Sequence, residues 1–303
     1  MEPLQGDAWS QVNGWVVFSD LHVSTRTLPV CLEVLRRVHR EATERNAGVE
    51  FGFWPKTPLL PETRLFPPGI LFLGDFWHER GSLPVLPLNA VLGELASWTQ
   101  PALFLVGNHD QVSLGGDLHA LDALARVNPH RLHIFTSPAL YLDALWLPYR
   151  RTEGELRQAI AQATAAPGRP RAIFAHVDLV GAHMNESFQS FFGLPSGIFP
   201  GDIPTYSGHY HLQHQVPGAP HILYVGSPYQ LSMSEAGQDK SLVLLDTHWR
   251  DTGRVPLDLG PRHFPLDEAD STRFLESIRV KRGGWQGKGS RVGVCVPTTR
   301  FIF

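Results

Sequence analysis

The chain has 303 residues, 43% of them hydrophobic, a formal net charge of −3 and two cysteines. That length can bury a full core, and a sandwich fold of this size is commonly one domain. No apolar run reaches the roughly 18 residues of a membrane helix, Met1–Gly14 has neither the basic nor the apolar region of a signal peptide, and Cys31 and Cys295 offer no disulfide framework or metal-thiolate spacing. These exclusions predict an intracellular protein, cytoplasmic or nuclear, with two small buried thiols.

A strand at 15–19 leads into the loop Asp20-Leu21-His22. The spacing of Leu28, Cys31, Leu35, Val38 and Ala42 predicts a helix over 28–45. Residues 48–68 carry Pro55, Pro58, Pro61, Pro67 and Pro68 and read as a loop insertion. A strand at 70–73 and a helix near 87–98 precede a strand at 102–106, and a third helix is expected over 117–127. Short strands follow at 132–134, 139–142 and 145–148, then a helix over 152–165 and a strand at 172–175. Beyond Gly201 the expected strands are 203–206, 213–216, 221–225, 241–246 and 254–258. Helices fill the first half and strands dominate the second, which predicts a sandwich of two mixed sheets flanked by helices.

Residues 271–303 have weak periodicity and read as a basic C-terminal segment following a domain of residues 1–270. The segment carries Arg273, Arg279, Lys281, Arg282, Lys288, Arg291 and Arg300 against the single acid Glu276, a net of +6 that leaves −9 for residues 1–270. A basic tail on an acidic body suits contact with phosphates. A solvated basic face is the plainer reading.

The chemistry lies just past the strands. Asp20-Leu21-His22, Gly74-Asp75, Gly107-Asn108-His109-Asp110, His176 and Gly208-His209-Tyr210-His211 each follow a short apolar run. Residues past strand ends gather on one rim of a sheet. Oxygen and nitrogen ligands without cysteine favour Mn, Fe or Zn over a structural zinc-thiolate site. Asp20 and His22 flank one residue, so an extended segment turns both to one face, and His209 and His211 repeat that spacing. Asp75 has two oxygens with which to bridge two ions, and His176 and the Asn108 oxygen complete the set. Glycine before a ligand permits positive φ or close backbone approach. His109 and Asp110 take other roles: His109 points at substrate, and Asp110 fixes the tautomer of that imidazole. Acid–base help from such a histidine typically contributes ~10²–10⁴-fold. Asp-x-His and Gly-Asp are weak signals singly, whereas Gly-Asn-His-Asp after a strand is strong.

These five blocks, with Gly74-Asp75-Phe76-Trp77-His78-Glu79-Arg80 as the second, closely resemble the calcineurin-like metallophosphoesterase superfamily over residues 15–265. The resemblance implies a four-layered α/β/β/α sandwich with two divalent metal ions, Mn foremost and Fe or Zn as alternatives. By that likeness Asp20, His22, Asp75 and His211 would hold one ion, Asp75, Asn108, His176 and His209 the other, and His109 would be the catalytic imidazole. A narrower likeness, to SbcD-type DNA-repair nucleases and their phage relatives, lies in Tyr224-Val-Gly-Ser-Pro-Tyr-Gln-Leu-Ser-Met-Ser-Glu235 with Lys240, and in Pro256–Phe264. It implies that 271–303 begins a capping domain cut short at Phe303.

The leading reading is a metal-dependent phosphoric ester hydrolase, a phosphodiesterase or DNA nuclease using activated water. The alternative is a phosphatase or phosphodiesterase for nucleotides or phosphoproteins. A non-catalytic binding module is disfavoured, because none of the seven ligand positions is lost. The partners implied are a phosphate ester such as DNA, an ATPase subunit and a second copy of the chain, with no membrane. His78 has two readings, a cleft-lining residue or an exposed loop histidine, the second being the plainer.

Overall fold

Runs such as Trp15-Val-Val-Phe18 and Ala102-Leu-Phe-Leu105 are buried along their whole length, the pattern of strands covered on both faces. The computed structural model describes residues 12–44, 68–113, 115–265 and 293–297. The first half comprises β1 (Trp15–Phe18), α1 (Leu28–Glu44), β2 (Gly69–Phe72), α2 (Val85–Ala96), β3 (Ala102–Leu105), α3 (Asp122–Val127) and β4 (Leu132–Phe135). Then come β5 (Ala139–Tyr141), β6 (Ala144–Leu147), α4 (Glu153–Ala165), β7 (Ala172–His176), β8 (Thr205–Gly208), β9 (His214–Val216) and β10 (Ala219–Tyr224). The last strands are β11 (Lys240–Leu245), β12 (Asp251–Leu257), β13 (Pro261–Pro265) and β14 (Gly293–Pro297).

The expected mixed α/β architecture is present as two six-stranded mixed sheets, in orders β12-β11-β1-β2-β3-β4 and β5-β6-β7-β8-β10-β9. In the first, β1 to β4 are parallel and β11 returns antiparallel beside β1. In the second, β6, β7, β8 and β10 are parallel and β5 and β9 run against them. In each sheet the carboxyl ends of the parallel strands therefore share one rim.

Three apolar clusters hold these elements. One joins α1 and α2 to the first sheet through Val34, Leu35, Val91, Phe72 and Phe104. A second draws on both sheets, with Trp15, Leu71 and Leu103 from the first and Trp146, Phe174 and Tyr206 from the second. A third packs α4 on the second sheet through Leu156, Ile160, Ile173 and Ile222. Stacked rings line this join: Phe135 of the first sheet lies on Trp146 of the second at 4.5 Å, and the stack continues along the second sheet from Trp146 to Phe174 at 4.5 Å and Phe174 to Tyr206 at 5.6 Å between centroids. Trp146 is fully buried. Trp146→Ala should therefore lower unfolding free energy by about 3–5 kcal/mol. Urea titration checks this, and a loss under about 1 kcal/mol would show that the cavity collapses easily.

Two expectations need correction. The helix over 117–127 is confined to α3, because Ala120 N–H donates to the Asp110 carbonyl at 2.7 Å and His119 bridges Gln111, holding the preceding residues in a turn folded back on the loop after β3. A two-stranded sheet of β13 and β14 was not anticipated and pairs 261–265 with 293–297. Residues 48–67 of the proline-rich insertion and most of the basic segment lie outside the described residues. Among the described residues no helix is long and apolar enough to cross a membrane. Cys31 is a buried free thiol that donates to the Leu21 carbonyl at 3.3 Å; burial pushes its pKa up to about 11.

Candidate metal centre

The loops leaving β1 and β2 continue to pair beyond the strands. Asp20 N–H donates to the Gly74 carbonyl at 2.9 Å, His22 N–H to the Asp75 carbonyl at 3.0 Å, and His78 N–H to the Val23 carbonyl at 3.0 Å. This ladder sets Asp20, His22 and Asp75 side by side. Gly107 follows β3 so closely that a Cβ there would lie 2.2 Å from Asp75 N, and a Cβ on Gly208 would lie 2.0 Å from Ser19 Oγ. Of the three glycines that precede the candidate ligands only Gly74 has positive φ, at 98°. The left-handed conformation falls mainly on the ligands themselves. Among the described residues seven non-glycines have positive φ, and four of them are Asp20, His22, Asp75 and His209. Such strain costs of order 1–3 kcal/mol per residue and gathers at functional sites.

All seven candidate ligands converge. Asp20, His22 and His211 form one group, and Asp75, His176 and His209 another, with the ligand-type atoms of each within 4.8 Å of one another. Asp75 faces both. Its Oδ2 lies 3.8 Å from His22 Nε2 and its Oδ1 3.4 Å from His176 Nε2. Asn108 Oδ1 sits 2.9 Å from both His176 Nε2 and His209 Nδ1. His22 Nε2 and His211 Nε2 approach to 3.2 Å. His209 N–H donates to Asp20 Oδ1 at 3.1 Å, tying the loop after β8 to the loop after β1.

The electrostatics suit cation binding. Burial would raise the Asp75 carboxyl, but His176, His22 and His109 hold it well below the usual range, so it is ionised. Burial lowers His22 and His209 to about 3, leaving neutral imidazoles with a lone pair to give. Burial opposes charge on His176, yet Asp75 lifts it to about 9. Burial raises Asp20. The residues fit a metal: nitrogen and oxygen donors without thiolate converge, and His22 Nδ1 is buried with no hydrogen-bond partner while Nε2 points into the group. These buried His and Asp groups could hold a metal ion.

Asp110 is placed differently from expectation. Its Oδ2 accepts the N–H of Asp75 and of Gly107, and its Oδ1 accepts those of Phe76 and Trp77, at 2.9–3.0 Å. Burial and neighbouring Asp75 push its pKa up to about 7, against these four donors. It does not touch the imidazole of His109. The carbonyl of His78 does that, accepting from His109 Nδ1 at 2.8 Å. The turn closed by Asp110 N–H on the Gly107 carbonyl aims the carboxylate at the loop after β2 instead.

Two further neighbours complete the surroundings, of which Glu235 was not foreseen. His78 is exposed, as its loop position suggests, yet its imidazole groups with those of His22 and His109 within 4.8 Å. The Val23–Trp77 bridge next to it is the feature that brings it there. Glu235 Oε1 accepts from His211 Nδ1 at 2.9 Å, 24 residues away, with no local sequence signal. Arg80 is exposed and forms no hydrogen bond or ion pair with a described residue. Tyr210 is buried, its hydroxyl donating to Asp178. No protein-family model matches the chain, and no curated protein matches it either.

Proposed function

We propose that the chain is a dinuclear-metal-dependent phosphoesterase of the calcineurin-like metallophosphoesterase type, acting on phosphodiester bonds with DNA as the preferred substrate. The reading rests on one observation above others: the two oxygens of Asp75 face two separate histidine-bearing groups, as a bridging carboxylate must. The three apolar clusters support the four-layered α/β/β/α arrangement that goes with it.

In this reading Asp20, His22, Asp75 and His211 would hold one divalent ion, and Asp75, Asn108, His176 and His209 the other, Mn being the first choice. Such ions supply positive charge that polarises the phosphate ester and activates water for attack. The protein's part is to hold the donors rigidly and to manage a proton. His109 is fixed twice, by its backbone N–H on Asp75 Oδ1 at 2.7 Å and by Nδ1 on the His78 carbonyl. A carbonyl only accepts, so Nδ1 carries a hydrogen and Nε2 is the nitrogen left to hold or release a proton toward the leaving oxygen. DNA is favoured by the basic segment beyond Ser271 and by Phe191 and Phe192, which are 84% and 78% exposed and offer faces on which bases stack.

The test is hydrolysis of linear single- and double-stranded DNA and of small mono- and diesters by Mn-loaded protein. His109→Ala should lower turnover by ~10²–10⁴-fold while leaving bound metal unchanged. Turnover of monoesters alone would replace the nuclease reading with a phosphatase. Silence on every ester would leave the chain without this activity.

A further inference from the structure

The two ends of the centre are supported differently. At the His176 end the outer ring nitrogen, Nδ1, donates to a neutral backbone carbonyl, that of Leu73, at 2.7 Å. At the His211 end it meets a carboxylate, Glu235 Oε1, at 2.9 Å. That carboxylate is held from behind. Its Oε2 accepts from Lys240 Nζ at 2.7 Å and from Ser227 Oγ at 3.0 Å. Lys240 in turn donates to the His211 carbonyl at 3.0 Å, to Ser227 Oγ at 2.9 Å and to Gln238 Oε1 at 3.0 Å. The side chains of Glu235 and Lys240 are 3% and 5% exposed. Glu235 closes a 3-10 turn over Met233–Glu235, and Lys240 opens β11, which lies beside β1 in the first sheet.

Burying an ion pair is costly and is recovered only when every remaining donor and acceptor finds a partner. Here the pair contacts one candidate ligand, His211, through both its side chain and its backbone carbonyl. A carboxylate on the outer nitrogen of an imidazole fixes the hydrogen there, aims the inner nitrogen and makes it more basic. A carbonyl does so more weakly. His22, the other imidazole at that end, has no support on Nδ1 at all, so the orientation of His211 falls to Glu235.

We propose that Glu235, anchored by Lys240 and Ser227, is the positioning residue for His211, and that it sets the metal affinity of the Asp20–His22–His211 end selectively. The inference rests on the metal-centre reading above. It makes the two ends unequal: one tuned by a buried charge, the other by a backbone carbonyl.

Calorimetric titration of the metal-free protein with Mn²⁺ alone tests it, beside Glu235→Gln and the double variant Glu235→Gln/Lys240→Met. The double variant removes both buried charges together, so no uncompensated lysine is left to unfold the protein. Asn108→Ala marks the opposite end. We expect two binding steps in the wild type. One step should weaken by about 10–100-fold in both Glu235 variants while the other changes less than about twofold, and Asn108→Ala should weaken the other. Equal weakening of both steps would mean a general loss of structure and would overturn the selective role. Unchanged steps in both Glu235 variants would overturn the positioning role and leave the metal centre standing. No binding by the wild type would remove the metal centre itself, and this inference with it.

Discussion

Replacing Asp75 with asparagine is expected to abolish the centre at both ends at once. Asp75 is the one candidate ligand whose oxygens face both histidine groups, and its carboxylate is foremost among the groups that raise the pKa of His176. Asp75→Asn would keep the volume and one acceptor oxygen but lose the charge. The His109 N–H that Oδ1 accepts would face either an amide oxygen or an amide nitrogen. Outer-shell partners alone are worth about 10–100-fold in metal affinity. Loss of a shared carboxylate should therefore exceed about 100-fold at each end, and ester hydrolysis should fall with it. Metal content after dialysis and turnover at saturating Mn are the readings. A variant that keeps both ions at near wild-type affinity would refute the bridging assignment.

The second large effect is on stability. Asp110→Ala leaves four backbone N–H groups, those of Asp75, Phe76, Trp77 and Gly107, without their acceptor in a buried loop. An orphaned buried donor costs about 1–3 kcal/mol, so the total is roughly 4 kcal/mol or more before water enters. That is a large part of the whole stability of an ordinary domain, about 5–15 kcal/mol. Asp110→Ala should melt far below the wild type and lose metal binding along with its fold. Asp110→Asn keeps one acceptor oxygen and should lie between them. A melting temperature for Asp110→Ala within a few degrees of wild type would show that the loops after β2 and β3 hold their shape without it.

What can be read from the sequence depends on how far each relationship reaches. The seven candidate ligands were legible because each follows a short apolar run, and shortness with branched and aromatic residues favours a buried strand over a helix. The rim they share follows from parallel strands, which end on the same side. The role of Asp110 was not legible. Adjacency to His109 suggested a pair of side chains, whereas the Gly107–Asp110 turn directs the carboxylate to backbone donors on another strand's loop. His78 was legible only as a choice between cleft and exposed loop, since its place depends on Val23 and Trp77 pairing beyond the ends of β1 and β2. Glu235 stands in the Gly-Ser-Pro stretch already singled out, but nothing within a few residues announces that it reaches back to His211. The helix expected over 117–127 is shortened to α3 because Ala120 N–H is committed to the Asp110 carbonyl, a contact that no local pattern announces.

The centre draws Asp20, Asp75 and Asn108 from the first sheet and His176, His209 and His211 from the second. A chain made from its amino terminus has its acidic and amide donors in place long before the later imidazoles emerge. During that interval the carboxylates of Asp20 and Asp75 have no cationic or metal partner from the second sheet, and half a centre has little hold on an ion. Synthesis at about 5–20 residues per second makes that interval several seconds long. The two halves meet only when the aromatic faces of both sheets close on each other. Under the metal reading, ion binding would report assembly: a chain that held the proposed ions would already have brought its two sheets together.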